Sequence, residues 1–307
     1  MIKVSVIFVS YNTRELTINA IRSLYEKTHD ITFEIILVDN NSQDNTVENV
    51  ESIFPNVICI KNEENYGFGY ANNIGAKIAK GEYIFLLNTD TILTNNAIKI
   101  LADYLDEHAK EDNVVAACGN LYDKNNNPAT SYARLFPGVA LELNSLLFNF
   151  LHHIKMMNFH FNFSDKPIHF KGSLSGADSM LVKHYFDSVH GFDKDYFLYY
   201  EETDLFYRLI KRGFLVASVP QAKIVHLEGA SEQLQEKTLQ RSFLSKSIYF
   251  RKHQSIYIYN ICHYIYQCTT SIRIALFYML GRVDKRKYWS LLRRTEKRVY
   301  MENMECK

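Results

Sequence analysis

The chain has 307 residues, 47% of them hydrophobic and 14% aromatic, with only 12 glycines and 5 prolines. That length holds one large α/β domain or two small ones around a sizeable core, and the composition excludes disordered, collagen-like and disulfide-knot classes. With 35 Lys+Arg against 34 Asp+Glu the net charge is +1, so there is no global attraction for nucleic acid and any basic surface must be local.

The opening MIKVSVIFVS is apolar but too short to span a bilayer. It stops at Tyr11, Asn12 and Thr13 with no small-residue cleavage site, which predicts a buried first strand over residues 4–9 and no export signal. A helix follows over 15–25, capped by Asn12 or Thr13, then a strand over 33–38, the polar turn DNNSQD at 39–44 and a helix ending near residue 54. A strand over 57–60, a helix over 68–79 and a strand over 83–87 complete the alternation that marks βαβ units and a mainly parallel sheet. Each strand ends in a polar loop at its carboxyl end, the edge where open α/β sheets bind ligands.

A helix over 96–108 and a strand over 114–118 come next, and residues 124–170 carry no assignable pattern. Order resumes at 176–182 and 196–200, with a helix over 203–212 and two short strands over 214–219 and 222–225. Residues 256–280 are rich in Ile and Tyr but include Asn260, His263, Gln267 and Arg273, too polar for a transmembrane helix. Beyond them Arg282, Lys285, Arg286, Lys287, Arg293, Arg294, Lys297 and Arg298 face only Asp284 and Glu296, so a neutral whole conceals a basic tail. The five cysteines (Cys59, Cys118, Cys262, Cys268 and Cys306) are odd in number and lack CxxC spacing, so reduced thiols in a cytoplasmic setting are expected.

Four polar clusters and one histidine offer chemistry. Asp39 ends the second strand with Tyr11 ending the first: a carboxylate for a ribose or base N–H beside an aromatic stacking face, or a turn cap. In NYGFGYANNIG (65–75) the glycines lack GxGxxG spacing and follow the third strand, which argues against a dinucleotide fold and for close backbone approach to a ligand. NTD (88–90) delivers one carboxylate, Asp90, to the ligand edge, enough for Mg²⁺ or Mn²⁺ when a phosphate supplies further oxygens, or a cap for the next helix. Glu201, Glu202 and Asp204 head an amphipathic helix, where acids complement the dipole or one of them serves as a general base. His226 gains value as a ligand if the fold carries it to Asp90.

Six segments, VSVIFVSYN (4–12), ILVDNNSQD (36–44), NYGFGYANNIG (65–75), NTD (88–90), GFD (191–193) with FLYYEETD (197–204), and His226, occur in one order over residues 3–231. Together they resemble the inverting nucleotide-sugar glycosyltransferases of family 2, in the bacterial rhamnosyl- and galactofuranosyltransferase branch. The resemblance implies a GT-A fold: an α/β, Rossmann-like, mainly parallel sheet with helices on both faces, here with a C-terminal helical extension. Residues 1–231 would form the transferase domain, about 1–120 its nucleotide-sugar half and 121–231 its acceptor half, with a basic helical extension over 232–307. By position Tyr11 and Asp39 would contact the nucleobase, and Asn65, Gly67 and Asn73 would shape the donor pocket. Asp90 would be the metal carboxylate, with Asn88 where many relatives carry a first Asp, and His226 would help hold the metal or diphosphate.

Relatives usually read Glu-Asp-x-Asp, so Glu202 falls where an Asp accepts the acceptor's proton, and Asp204 is the fallback. The implied reaction moves a sugar from a nucleoside-diphosphate sugar, such as dTDP-rhamnose or a UDP-sugar, to a glycan or polyprenyl-linked saccharide in bacterial cell-surface polysaccharide synthesis. The C-terminal segment would meet anionic headgroups at the inner face of the plasma membrane, or pack on the catalytic domain or on another subunit of a homo-oligomer. Two rivals are a non-catalytic nucleotide-sugar or glycan-binding module and a sugar-phosphate nucleotidyltransferase. The second lacks its Gly-rich, Lys/Arg-bearing loop near the first strand.

Overall fold

Continuous apolar runs become the central strands of one sheet. The computed structural model describes residues 1–149, 163–227 and 236–305. β1 (Val4–Ser10), β2 (Phe33–Asp39), β3 (Ile58–Lys61) and β4 (Tyr83–Leu87) alternate with α1 (Arg14–Lys27), α2 (Thr46–Ile53) and α3 (Phe68–Ile78) and pair in parallel. The chain continues through β5 (Thr91–Leu93), α4 (Ala97–His108), β6 (Val114–Tyr122), β7 (Tyr132–Ala133) and α5 (Val139–Leu146). Then come β8 (Ile168–Phe170), β9 (Ser173–Leu174), β10 (Asp178–Val182), α6 (Lys183–Ser188), α7 (Glu201–Lys211) and β11 (Leu215–His226). The sheet order is β3-β2-β1-β4-β10-β6-β11-β5, with β8 also on β11; a separate ribbon joins β7 to β9.

Period-two alternation divides the strand residues between the two faces. Val4, Val6, Phe8, Leu37 and Phe85 join Ile18, Leu24, Leu101 and Leu105 of α1 and α4 in one core cluster. Complete burial of side chains of this size contributes about 1.5–3 kcal/mol each. The opposite face receives α3 so closely that a Cβ on Gly75 would lie 2.7 Å from Ile7 Cγ2. Helices therefore cover both faces of a mainly parallel sheet.

Several local expectations are corrected. α1 has Thr13 at its N-cap position without a side-chain cap bond; the first helical N–H, that of Arg14, donates to Asp44 Oδ2 at 2.9 Å instead. Asp44 also accepts from Thr46 N at 3.2 Å, so one carboxylate caps two helices. Residues 196–200, where order was expected, form neither strand nor helix, and α7 begins at Glu201, ahead of the expected residue 203. The two short strands expected over 214–225 are one, β11, which runs through Pro220 by a register shift between Ser218 and Lys223. β5, three residues long, was not anticipated; it pairs antiparallel with the end of β11.

The chain divides into two compact units. Met1–Arg134, His160–Phe197 and Glu201–Ser231 form the sheet unit; Leu135–Phe159, Leu198–Tyr200 and Glu232–Lys307 form the other. The second unit holds α5, α8 (Glu236–His253), α9 (Ile256–Met279) and α10 (Val283–Glu305). Its interior is partly polar. Lys246 pairs with Glu142, His263 Nδ1 lies 2.9 Å from Glu296 Oε1, and the His263 ring stacks on Tyr300 at 3.6 Å between centroids. Among the described residues no helix is long and apolar enough to cross a membrane. Cys59, Cys118, Cys262 and Cys268 are free thiols; Cys306 lies outside the described residues, as do residues 228–231 after His226.

Candidate active site

The carboxyl ends of β1 and β2 are tied together through their loops. Asp39 is buried, and its two carboxylate oxygens accept from Ser10 Oγ at 2.7 Å and Ser42 N at 2.8 Å. Asn12, in the left-handed region at φ 55°, accepts from Gln43 N at 2.7 Å and donates its own N–H to Ser42 Oγ at 2.8 Å. Asn is among the residues that tolerate this conformation. Tyr11, which precedes it, is 50% exposed and directly follows the carboxyl end of β1. Burial alone would raise the Asp44 carboxyl, but hydrogen bonds from the Thr46 hydroxyl and the Arg14 and Thr46 amides outweigh it and hold it below its ordinary value.

The 65–75 segment brings backbone to backbone. Gly67 adopts φ 84° and ψ 173°, a region essentially reserved for glycine, and a Cβ there would sit 2.1 Å from the Phe197 carbonyl oxygen. Asn65 Oδ1 accepts from Gly67 N at 3.0 Å, Asn40 Nδ2 donates to the Gly67 carbonyl at 3.2 Å, and Phe68 N donates to the Phe197 carbonyl at 3.1 Å. Asn73 donates to the Phe192 carbonyl at 2.8 Å and accepts from Phe192 N at 2.9 Å. Its amide thus docks the GFD segment onto α3. A cavity of about 510 Å³ borders this contact, lined by Tyr70, Asn73, Lys77, Phe186, Phe192 and Asp193. Asp90, His226 and Glu202 do not line it.

The NTD turn and the end of β11 meet. Asn88 N donates to the Ala177 carbonyl at 3.0 Å, and the Asn88 carbonyl accepts from Thr91 N at 3.3 Å and Thr91 Oγ1 at 2.6 Å. This turn holds Asp90 at the start of β5. In the β5–β11 pairing His226 stands opposite Thr91, and Leu227 N donates to the Asp90 carbonyl at 2.8 Å. His226 Nε2 consequently lies 3.2 Å from Asp90 Oδ1, both side chains largely buried. That separation is close to the spacing of about 3 Å between neighbouring ligand atoms on one divalent ion with bonds of about 2.1 Å. A carboxylate with an imidazole suits Mn²⁺, and admits Mg²⁺ where phosphate and water complete the shell.

The acids of α7 occupy three different environments. The chain enters this helix through Tyr199 at φ 69° and Tyr200 at φ 66°, a conformation that costs a non-glycine residue of order 1–2 kcal/mol. Glu201 is buried, and its carboxyl is driven well above the ordinary value by burial and then by the charge of Glu202; Oε2 has no hydrogen-bond partner among the described residues. Glu202 is only partly buried, and burial raises its carboxyl too. Asp204 is fully buried against Arg208, whose Nε is 2.8 Å from Asp204 Oδ2. Arg208 also donates to the Val189 and Gly191 carbonyls at 2.6 and 2.8 Å. Asp204 therefore orients the arginine that holds the 189–191 turn, and of the three acids Glu202 alone is not fully buried as a residue.

Two buried carboxyls stand out only in three dimensions. Glu201 is one of an acidic trio in sequence, and nothing there distinguishes it. Asp178 opens β10 opposite Leu87 and is fully buried. Its Oδ2 accepts from Gly119 N at 2.8 Å and Oδ1 has no hydrogen-bond partner among the described residues, so burial raises its carboxyl far above the ordinary value. An Asp opening an apolar strand was the available signal.

Residues 5–165 match the family model described as Glycosyl transferase family 2. The chain is 27% identical over 186 residues to the poly(ribitol-phosphate) beta-N-acetylglucosaminyltransferase TarS of Staphylococcus aureus, covering 59% of this chain and 32% of that protein. It is 36% identical over 88 residues to the UDP-Glc:alpha-D-GlcNAc-diphosphoundecaprenol beta-1,3-glucosyltransferase WfaP of Escherichia coli, covering 28% of this chain and 35% of that protein. The chain spans less than half the length of the curated relatives it matches. In fold it resembles a crystal structure of GalNAc-T7 with UDP, GalNAc and Mn2+, a GT-A glycosyltransferase. The TM-score is 0.57 at 16% identity, over 81% of this chain and 48% of that one.

Proposed function

The chain belongs to glycosyl transferase family 2, and from that premise we propose that it moves a sugar from a nucleoside-diphosphate sugar to a saccharide hydroxyl with inversion at the anomeric carbon. The observation that carries this reading is the approach of His226 to Asp90 at the carboxyl edge of the sheet, in the same unit as Glu202. The donor is a UDP-sugar or a dTDP-sugar such as dTDP-rhamnose, its base seated by Tyr11 and Asp39, with Asn65, Gly67 and Asn88 framing the pocket.

Asp90 and His226 would hold Mn²⁺ or Mg²⁺, whose charge, when bound, offsets that of the donor diphosphate. Glu202 accepts the proton of the acceptor hydroxyl as that oxygen forms its bond to C1 from the face opposite the leaving group. The C1–O bond breaks with its electron pair going to the nucleoside diphosphate. A carboxyl raised by burial is a stronger base than a solvated one, which suits a weakly acidic hydroxyl. Asp204 acts through Arg208, and Asn73 through Phe192, to fix the loop that packs on α3.

The acceptor is a glycan or a polyprenyl-linked saccharide of a bacterial surface polymer; the poly(ribitol-phosphate) acceptor of TarS and the diphosphoundecaprenol-linked acceptor of WfaP support a polymer or lipid-linked acceptor. Peripheral contact with the inner membrane face is supported by Tyr257, Tyr264, Tyr278 and Met279, exposed on α9, and by exposed Arg282, Lys285 and Lys287 beyond it. The test is a panel of UDP- and dTDP-sugars with Mn²⁺, read as released nucleoside diphosphate, with simple saccharides and polyprenyl-diphosphate GlcNAc as acceptors. Acceptor-dependent release from one donor is expected. Donor binding without release under any acceptor would favour the non-catalytic module.

A further inference from the structure

A second cluster of metal-ligating side chains lies at the other end of the sheet. His108 closes α4, Asp112 sits in the turn before β6, and His169 is the middle residue of β8. One ligand atom from each lies within 4.8 Å of the others. β8 pairs with the beginning of β11, His169 opposite Ala217, whereas His226 ends that strand. Along β6 the stretch from Ala217 to Val225 spans only the five residues from Ala117 to Tyr122 because of the register shift, but at about 3.3 Å per residue that is still about 17 Å, so this cluster and Asp90 cannot share one ion.

The local structure holds the three groups together. The turn after α4 is closed by Asp112 N donating to the His108 carbonyl at 3.1 Å, which brings the Asp112 carboxylate to 2.6 Å from His108 Nδ1. One helical turn before His108, the Tyr104 hydroxyl lies 2.7 Å from His169 Nε2 and sets that ring edge-on to His108, with centroids 5.0 Å apart. Both imidazoles are partly exposed and Asp112 is 44% exposed at its side chain. Ligand atoms on a tetrahedral ion with bonds of about 2.0 Å are about 3.3 Å apart. Side-chain rotation of these partly exposed groups is the movement that would close the remaining gap.

We propose that His108, Asp112 and His169 form a binding site for a divalent transition metal of the zinc type, clipping the end of α4 to β8. Two imidazoles and one carboxylate favour Zn²⁺ over Mg²⁺ or Ca²⁺, which prefer all-oxygen shells. Tyr104 orients His169 as outer partners commonly orient metal-bound histidines. The site is structural and is independent of the proposed transferase chemistry.

The test uses the full chain with Asp90→Ala, stripped with EDTA, so that ions at the candidate active site do not contribute. Calorimetric titration with Zn²⁺ is expected to give one saturable site per chain and a higher unfolding temperature. Each of His108→Ala and His169→Ala, exposed enough to leave the fold intact by circular dichroism, is expected to weaken binding at least about tenfold. Co²⁺ provides a second reading, as visible absorption from nitrogen and oxygen ligands that disappears in the double variant. Zinc affinity unchanged in His108→Ala/His169→Ala, or no saturable zinc binding in the Asp90→Ala chain, would overturn the proposal.

Discussion

His226 Nε2 lies 3.2 Å from Asp90 Oδ1 because a three-residue strand, β5, pairs antiparallel with the last residues of β11. The pairing fixes the imidazole as a partner of the carboxylate. His226→Ala is therefore expected to raise the Mn²⁺ concentration needed for half-maximal turnover by roughly 10- to 100-fold, with little change in unfolding temperature. An unchanged Mn²⁺ requirement would make His226 a purely structural neighbour of Asp90.

Glu202→Gln keeps the shape of the side chain and removes its basicity. A loss in turnover of roughly 10²- to 10⁴-fold is expected, with donor affinity retained. The raised Glu202 carboxyl sets the sign of the pH dependence. The base is active only when deprotonated, so activity falls as pH drops through its raised pKa, and the acid limb lies above the ordinary carboxylate value of about 4.3. A wild-type limb at or below that value, or near-normal transfer by Glu202→Gln, would remove this residue from the role.

Gly67→Ala tests the close approach to Phe197. The left-handed extended backbone alone costs about 1–3 kcal/mol for a residue with a Cβ, and the 2.1 Å approach to the Phe197 oxygen adds to it. Chemical denaturation should show a loss at the upper end of that range or beyond. A variant as stable as the wild type would mean that the segment takes another path.

Asp178 is expected to shape stability against pH. Its folded pKa is raised, so the folded state binds a proton more tightly than the unfolded one. The contribution is fully present below the unfolded pKa, near 3.9, and is lost as pH rises through the folded pKa. Asp178→Asn can keep the acceptor for Gly119 N without the ionisable group. Its melting temperature, relative to wild type, should rise as pH increases above about 4, and parallel curves would contradict the assignment.

The parallel core was legible because its signals are local. Residues 4–9, 33–38 and 83–87 are apolar runs long enough for strands, each closed by Asn, Asp or Gly turns, and β4 has the expected bounds. What depends on tertiary pairing was not legible. Pro220 suggests a break, yet β11 continues because β6 tolerates a register shift there. Asn12 and Thr13 are good caps by type, but Asp44 reaches across from the next loop. Nothing in two tyrosines announces positive φ, so the start of α7 at Glu201 followed only from packing. The candidate site was legible as residue types in order; the meeting of Asp90 with His226, the burial of Asp204 and the docking role of Asn73 required the fold.

Calorimetric binding of UDP and dTDP, with and without Mn²⁺, to the wild-type chain and to Asp90→Ala tests the central claim most directly. The account predicts that Mn²⁺ tightens binding of one of the two nucleotides to the wild type at least about tenfold, a coupling of about 1.4 kcal/mol, and that Asp90→Ala abolishes the difference. Nucleotide affinity that is the same with and without Mn²⁺ in the wild type, or equally enhanced in Asp90→Ala, would contradict it.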